Sequence, residues 1–196
     1  WQGWQPRDII LLVRQRGEYM QQAVPVGSGA MAAVLGLDRA AVEAACAASA
    51  RPDETVAVAN YNAPLQSVIA GHTAAVARAG TAAQGAGAKR VVPLPVSAPF
   101  HCSLMRPAAE RLRERLAGIR ISPPALTVLH NSDVRSAKSP DEIREALVRQ
   151  LFQPVRWVDT VRQMVEDGAT HILECGPGKV LAGLVKRTVE GVESVA

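Results

Sequence analysis

The sequence predicts an α/β protein with two lobes, and three observations lead to this fold class. The chain has 196 residues, of which 48% are hydrophobic, 20% charged and 4% aromatic. That length is enough for one large domain or two small ones with a buried core, and the composition is that of a soluble globular protein. Helical and extended patterns alternate in two different ways, which divides the chain into residues 1–26, 27–96 and 97–196.

Residues 1–26 are expected to supply one helix to the larger lobe. Apolar residues from Ile9 to Met20 recur at helical spacing, and Pro25 and Gly27 predict that the helix has ended. Residues 1–8 fit no pattern and are left unassigned.

Residues 27–96 alternate in the order βαββαβ. Asp38 is a suitable N-cap for the first helix. This order is typical of the ferredoxin-like arrangement, so a compact small subdomain is expected here. The predicted elements are a strand at 30–36, a helix from Asp38 to Ser49, strands at 55–59 and 66–70 joined by a turn at 60–64, a helix at 73–84 and a strand at 89–95.

Residues 97–196 alternate strands with longer helices, which is consistent with a parallel sheet. The predicted elements are a loop at 97–101, a helix at 102–118, a strand at 126–130, a helix from Ser139 to about Phe152, a helix at 154–167, a strand at 171–174 and a helix at 180–189. Two strands cannot form a covered parallel sheet. We therefore expect the first half of this larger lobe to be missing from the chain.

Charge and cysteine content narrow the function classes. The formal net charge is +4, but the basic residues are scattered and often adjacent to acids, as on solvated helix faces. Attraction to an acidic partner or to phosphates is the alternative interpretation, whereas no basic stripe with aromatic residues indicates nucleic-acid binding. Three widely spaced cysteines indicate neither a disulfide framework nor a metal site. The absence of a membrane-span-length apolar run and of a secretory signal favours the cytoplasm.

Three stretches contain residues suited to chemistry, and each also has a structural explanation. His101 lies in a loop before a helix, where a histidine is either structural or a general acid/base. Arg16 lies midway along an apolar-patterned helix, either on the surface or as a planar donor for a carboxylate. Gly176-Pro177-Gly178 is either a plain strand-to-helix turn or a phosphate cradle.

One motif that acyl transfer would require is absent. A serine nucleophile on a parallel sheet sits in a Gly-x-Ser-x-Gly turn between a strand and a helix. The chain contains no such sequence, because Gly27-Ser28-Gly29 has the wrong spacing and Ser97 and Ser103 occur in no strand–turn–helix context.

Taken together, these stretches resemble bacterial malonyl-CoA:acyl carrier protein transacylases over about residues 9–190. The motifs that carry the resemblance occur in register: Arg16-Gly with Met20-Gln21 and Pro25, Gly29-Ala-Met-Ala, Asn60-Tyr-Asn62-Ala-Pro, Ile69-Ala-Gly-His72, Pro93-Leu-Pro-Val-Ser97, Pro99-Phe-His101, Leu147-Val-Arg-Gln150-Leu and Gly176-Pro-Gly-Lys179.

The resemblance implies an acyltransferase of fatty acid biosynthesis with an α/β-hydrolase-like larger lobe and no cofactor or metal. Malonyl would pass from malonyl-CoA to a serine and then to the phosphopantetheine thiol of acyl carrier protein. His101 matches the general base, and Gln150 matches the residue whose main-chain carbonyl orients it. Arg16 matches the arginine that binds the malonyl carboxylate. The remaining matches are to the pocket wall: Met20, Asn62, Gln66 and Phe100.

The chain departs from the family in lacking the Gly-His-Ser-Leu-Gly nucleophile motif, which the family has just upstream of the matched region. The family's N-terminal Gly-Gln-Gly-Ser-Gln, which supplies an oxyanion-hole donor, is also missing, although Gln2-Gly-Trp-Gln5 echoes it without a preceding strand. We therefore expect the chain alone to be inactive. Two alternatives stay open: an acyltransferase domain of a polyketide synthase, and a non-catalytic remnant that binds CoA or carrier protein.

Overall fold

The computed structural model describes the backbone of residues 6–196 and the side chains of residues 9–196, so the unassigned start of the chain lies mostly outside the described residues. The fold is mixed α/β, as predicted. The helices are α1 Pro6–Gln21, α2 Arg39–Ser49, α3 Thr73–Gly85, α4 Arg106–Ala117, α5 Pro140–Phe152, α6 Trp157–Glu166 and α7 Val180–Thr188. The strands are β1 Gly29–Leu35, β2 Val56–Ala63, β3 Gln66–His72, β4 Arg90–Pro93, β5 Leu129–His130, β6 Arg135–Ser136, β7 His171–Leu173 and β8 Glu193–Val195.

The first four strands form one antiparallel sheet with the order β2-β3-β1-β4. Helices α2 and α3 pack on one face of this sheet. Asp38 begins α2 as predicted, because its side chain accepts a hydrogen bond from the main-chain N–H of Ala41 at 2.9 Å. The core between helices and sheet consists mainly of small and β-branched side chains and includes Val34, Val42, Ile69, Ala75 and Ala79.

The second face of the sheet covers the segment around His101. Met31, Val68 and Ala70 of the strands pack with Cys102, and Phe100 and Leu104 pack against the same cluster. Glycine is needed at the edge of this contact, because a Cβ on Gly29 would overlap the ring of Pro99. The segment before α4 is therefore held directly against the backbone of β1.

A second core lies between helices α1, α4 and α5. It contains Leu12, Met20, Met105, Leu112 and Leu151, all at most 7% exposed. Phe100 and Leu104 pack against this core as well as against the sheet. The segment that carries His101 is thus enclosed between two apolar clusters.

The sheet is joined to the rest of the chain along the edge of β2. The N–H of Val155 donates to the carbonyl of Ala59 at 2.8 Å, and the N–H of Tyr61 donates to the carbonyl of Val155 at 2.9 Å. Next to this junction, Arg39 stacks over the Tyr61 ring at 3.9 Å and pairs with Asp159 of α6 at 3.2 Å.

The predicted turn at residues 60–64 is wrong, because residues 60–63 continue β2 and only Pro64 and Leu65 turn. Two register shifts in the β2–β3 pairing allow these residues to remain extended. The two hydrogen bonds between Val155 and the outer edge of β2 support the same conformation.

The predicted strand at 126–130 is shortened to β5, which pairs with β6 in an antiparallel hairpin. Parallel pairing occurs between β7 and the unpredicted β8, over three residue pairs. The predicted helix at 102–118 is a 3₁₀ turn, Ser103–Met105, followed by α4. The helix expected from Pro154 begins at Trp157 instead.

Among the described helices, none combines the length and the apolar character needed to cross a membrane.

Candidate functional site

His101 is held in an unusual backbone conformation at the start of the segment between the two cores. Its φ is +57°, in the left-handed region that non-glycine residues rarely adopt. A residue held there costs of order 1–3 kcal/mol and persists when its surroundings enforce it. The surroundings here are fixed by the neighbouring buried residues Pro99 and Cys102.

The imidazole of His101 is anchored to helix α5. Its Nδ1 lies 2.8 Å from the main-chain oxygen of Gln150. This oxygen is available because the residue four positions on is Pro154, which has no N–H to donate to it. The expected hydrogen bond between these two residues is therefore present, and the sequence around Gln150 explains why its carbonyl is free to accept it.

The Gln150 carbonyl determines which ring nitrogen of His101 carries the proton. A carbonyl only accepts, so Nδ1–H donates and Nε2 of the neutral imidazole carries the lone pair. Burial lowers the pKa of His101 below its ordinary value, the hydrogen bond to Gln150 raises that pKa, and the charge of Arg16 lowers it further. Desolvation is the largest of these effects, so the neutral imidazole is favoured. A neutral ring whose Nε2 carries a lone pair has the properties of a general base.

Arg16 carries a partly buried charge without an acidic partner among the described residues. Its neighbours on α1 are satisfied: Arg14 pairs with Glu18 at 2.8 Å, and Gln15 accepts a hydrogen bond from Arg115. Burial lowers the pKa of Arg16, and no opposing effect of an acid accompanies it. Burying a guanidinium without an anion is costly, so this arrangement is suited to receiving a carboxylate from a ligand.

Met20 and Phe100 both take part in the helical core, and their assignment to a pocket wall stays a prediction. Met20 is 4% exposed in the helical core, and Phe100 packs against that core and against the sheet. Phe100 directly precedes His101 in the chain. The burial of both side chains also has a purely structural explanation, because each packs in an apolar core.

Asn62 and Gln66 lie at the hairpin that connects β2 with β3, and both are half-buried. Gln66 Oε1 accepts a hydrogen bond from Arg187 of α7 at 3.0 Å. Among residues 9–196, no hydrogen bond joins Asn62 or Gln66 to Arg16 or His101. The geometry therefore leaves their assignment to the pocket wall as a prediction.

The thiol and hydroxyl groups beside His101 are poorly suited to act as its nucleophile. Cys102 is buried, donates a hydrogen bond to the Pro99 carbonyl at 3.1 Å, and has its pKa raised to about 11, chiefly by burial. The hydroxyl of Ser103 lies 3.4 Å from the hydroxyl of Thr55, and among the described residues it makes no hydrogen bond to the imidazole. Within the described part of the chain, no serine hydrogen-bonds to Nε2 of His101.

Two open clefts, of about 490 and 430 Å³, lie elsewhere in the molecule. They are lined by residues 130–166 of the β5–β6 hairpin and helices α5 and α6, and neither contains Arg16 or His101. Both clefts are lined largely by charged side chains, several of which are already paired, such as Asp159 with Arg156. No group of three metal-binding side chains occurs among the described residues. The His101 region is therefore the better candidate site.

The sequence profile of the acyl transferase domain matches residues 5–196. The chain belongs to the acyl transferase domain family. Among curated proteins, it is 50% identical over 189 residues to the malonyl CoA-acyl carrier protein transacylase of Escherichia coli K12, covering 96% of this chain and 61% of the relative. It is 51% identical to the protein of the same name from Haemophilus influenzae, again covering 61% of that relative.

Solved structures give the same result. An acyl carrier protein S-malonyltransferase from Vibrio cholerae superposes with a TM-score of 0.93 at 50% identity, covering 95% of this chain and 61% of that one. A malonyl-transacylase in complex with a type II polyketide synthase acyl-carrier protein superposes with a TM-score of 0.93 at 48% identity. The chain thus spans about 61% of the curated relatives it matches.

The sequence missed two contacts in this member of the acyl transferase family. The amide of Gln150 donates a hydrogen bond to Oδ1 of Asn131 at 3.1 Å, and Arg106 stacks over the Phe152 ring at 4.5 Å. Both contacts join residues far apart in the chain. No local pattern indicates either of them.

Proposed function

We propose that this chain carries the general base and the carboxylate-binding arginine of a malonyl-CoA:acyl carrier protein transacylase. The observation that carries the proposal is the hydrogen bond from His101 Nδ1 to the Gln150 carbonyl, which leaves Nε2 as an acceptor. The names of the relatives support malonyl-CoA and acyl carrier protein as the two partners. The nucleophilic serine would come from a segment that resembles the family's Gly-His-Ser-Leu-Gly motif.

In the proposed reaction, Nε2 of His101 removes the serine proton as the serine oxygen bonds to the malonyl thioester carbon. The CoA thiolate leaves and takes that proton from the imidazolium. The phosphopantetheine thiol then gives its proton to Nε2 and attacks the acyl-serine ester, and the departing serine oxygen recovers the proton. Gln150 would act by its main-chain carbonyl in place of the acid of a usual triad, holding the tautomer through both half-reactions.

Arg16 would bind the free carboxylate of the malonyl group. Its partly buried guanidinium has no acid partner among residues 9–196, and its charge lowers the pKa of His101. A planar donor binds a carboxylate with two hydrogen bonds, which an acetyl group cannot accept. We assign Met20, Asn62, Gln66 and Phe100 to the wall of the same pocket.

We further propose that residues 27–96 form a ferredoxin-like small subdomain, which the strand order β2-β3-β1-β4 supports. Residues 1–26 and 97–196 would belong to an α/β-hydrolase-like larger lobe. The cytoplasm is the proposed compartment.

The first experiment uses the chain as it stands. Incubation with radiolabelled malonyl-CoA should leave no covalent adduct, because removal of the nucleophile leaves only binding and electrostatic contributions. A stoichiometric, hydroxylamine-sensitive malonyl ester on any serine would contradict the assignment of the nucleophile to another segment.

The second experiment uses a joined enzyme, in which residues 9–196 follow the preceding part of the Escherichia coli relative. His101→Ala should reduce malonyl transfer by about 10²–10⁴-fold, the usual contribution of a positioned base. Gln150→Ala keeps the carbonyl and should do much less harm. A fully active His101→Ala enzyme would remove the base from the proposal.

The same joined enzyme tests the carboxylate clamp. Arg16→Ala should shift selectivity from malonyl-CoA toward acetyl-CoA, with a loss of about 2–5 kcal/mol for malonyl. Arg16→Lys should rescue only part of this, since lysine lacks the planar fork. Equal losses for both thioesters would identify Arg16 as structural. A different pair of results would favour a non-catalytic binding module. In that case the joined enzyme without substitutions is inactive, whereas the 196-residue chain alone still binds CoA.

A further inference from the structure

We infer that Asn131 is a positioning residue that holds the acceptor of His101 in place. The inference rests on the proposed function, because it concerns the residue assigned there as the base. Among the described residues, no hydrogen bond joins Asn131 to the imidazole. Asn131 acts on Gln150, whose carbonyl holds the ring.

Gln150 takes part in two hydrogen bonds in different directions: its main-chain oxygen accepts from His101 Nδ1 at 2.8 Å, and its side-chain amide donates to Oδ1 of Asn131 at 3.1 Å. Gln150 lies in the last turn of α5, where helices fray and carbonyls lack intrahelical partners. A side-chain bond at this position restrains the peptide unit that carries the acceptor.

Asn131 is itself held in place by a main-chain hydrogen bond. Its own main-chain carbonyl accepts a hydrogen bond from the N–H of Arg156 at 2.7 Å. Val155, which precedes Arg156 in the chain, donates a hydrogen bond to Ala59 of β2 and accepts one from Tyr61 of β2. Asn131 therefore connects the acceptor of His101 to the junction at which the four-stranded sheet joins the rest of the chain.

A second link between the turn at residues 131–134 and helix α5 distinguishes the role of Asn131 from simple packing of that turn. The same turn is also tied to α5 by an ion pair between Asp133 and Arg149 at 2.8 Å. This pair anchors turn and helix to each other one residue away from Gln150, without contacting Gln150. If Asn131 only fastened the turn, loss of either link would have the same consequence for His101. The two links therefore provide a matched comparison.

The experiment measures the ring tautomer of His101 in the full 196-residue chain, from the imidazole ¹⁵N shifts at a pH where the ring is neutral. Asn131→Leu should lower the ratio of the Nδ1–H to the Nε2–H form by about fivefold, the ratio that one ordinary hydrogen bond supports. Asn131→Asp retains an acceptor oxygen and should preserve the ratio.

Gln150→Met removes the amide but keeps the carbonyl, so it should lower the ratio as Asn131→Leu does, and the double variant should add little. It also supplies the measurement if Asn131→Leu does not fold. Asp133→Asn, which weakens the neighbouring ion pair, should leave the ratio unchanged.

An unchanged ratio in folded Asn131→Leu or Gln150→Met overturns the inference, as does an equal fall in Asp133→Asn. A wild-type ring without preference for Nδ1–H is a different result. It would contradict the general base of the proposed function itself and remove the inference with it.

Discussion

The four-stranded sheet and the C-terminal strands place their apolar residues in opposite environments. In the sheet, Ile69 is 1% exposed between strands and helices, and the other face is covered by the His101 segment. In β7 and the start of α7, Leu173 is 66% and Val180 is 69% exposed. A sheet with four paired strands and both faces covered has the contacts of a complete unit, whereas β7 and β8 pair over only three residues. We therefore expect the two regions to differ in local stability.

Hydrogen exchange gives the largest expected contrast between these regions. Amides in the centre of β1 and β3 should exchange at least about 10³-fold more slowly than those of β7 and β8, since short and poorly buried pairs open locally whereas a core sheet opens with global unfolding. Residue-resolved exchange of the intact chain measures this. Protection concentrated in residues 97–196 would show that the sheet is not the more stable part.

Two truncations to alanine sharpen the same contrast. Ile69→Ala should lower the free energy of unfolding by about 2–5 kcal/mol, because it removes buried methyl groups and leaves a cavity. Leu173→Ala removes a side chain that is mostly in solvent and should change it by no more than about 0.5 kcal/mol. Urea unfolding followed by circular dichroism compares them, and similar losses at the two positions would break the comparison.

How well the sequence predicted these regions depends on how local the determining interactions are. The helix starts at Asp38 and Ser139 were predicted, because a cap is a bond across three residues and its pattern is visible in the chain. The extension of β2 through Asn60–Ala63 was not, because it depends on register shifts and on Val155, nearly 100 residues away.

The candidate site follows the same rule. Pro99 predicts the loop before His101, and Pro154 explains the free carbonyl of Gln150. The pairing of His101 with Gln150 came from resemblance to a family, because nothing local links positions 49 residues apart. Asn131 was missed for the same reason.

The exposed apolar residues should also be detectable by dye binding. Leu126, Leu173 and Val180 are between 66% and 80% exposed, and exposed apolar surface binds hydrophobic dyes. Changing all three to serine should lower the fluorescence of a bound naphthalene sulfonate dye, with little effect on stability. Leu65→Ser, at an isolated exposed residue of the β2–β3 turn, is the control and should leave the signal nearly unchanged. Equal signals in the two variants would place the dye elsewhere.

The smallest expected effect lies at His101, between the four-stranded sheet and the helical core. Burial and the charge of Arg16 both lower the pKa of His101, and the Gln150 carbonyl opposes them. Arg16→Met removes one of the two lowering influences, so the pKa of His101 should rise, and the neutral ring should be lost at a higher pH than in the wild type. Arg16→Lys keeps the charge and should shift the pKa less.

A titration of the His101 ring protons by NMR in the intact chain measures this shift. The direction of the change in the pKa of His101 matters for the proposed base, because only the neutral imidazole accepts a proton. With Arg16 present, the acceptor form should persist to lower pH than for an ordinary histidine. Arg14→Met serves as the control, since Arg14 is exposed and already paired with Glu18. A pKa of His101 that stays constant or falls in Arg16→Met would show that the two groups do not share one electrostatic environment, and the clamp and the base would then have to be assigned to separate sites.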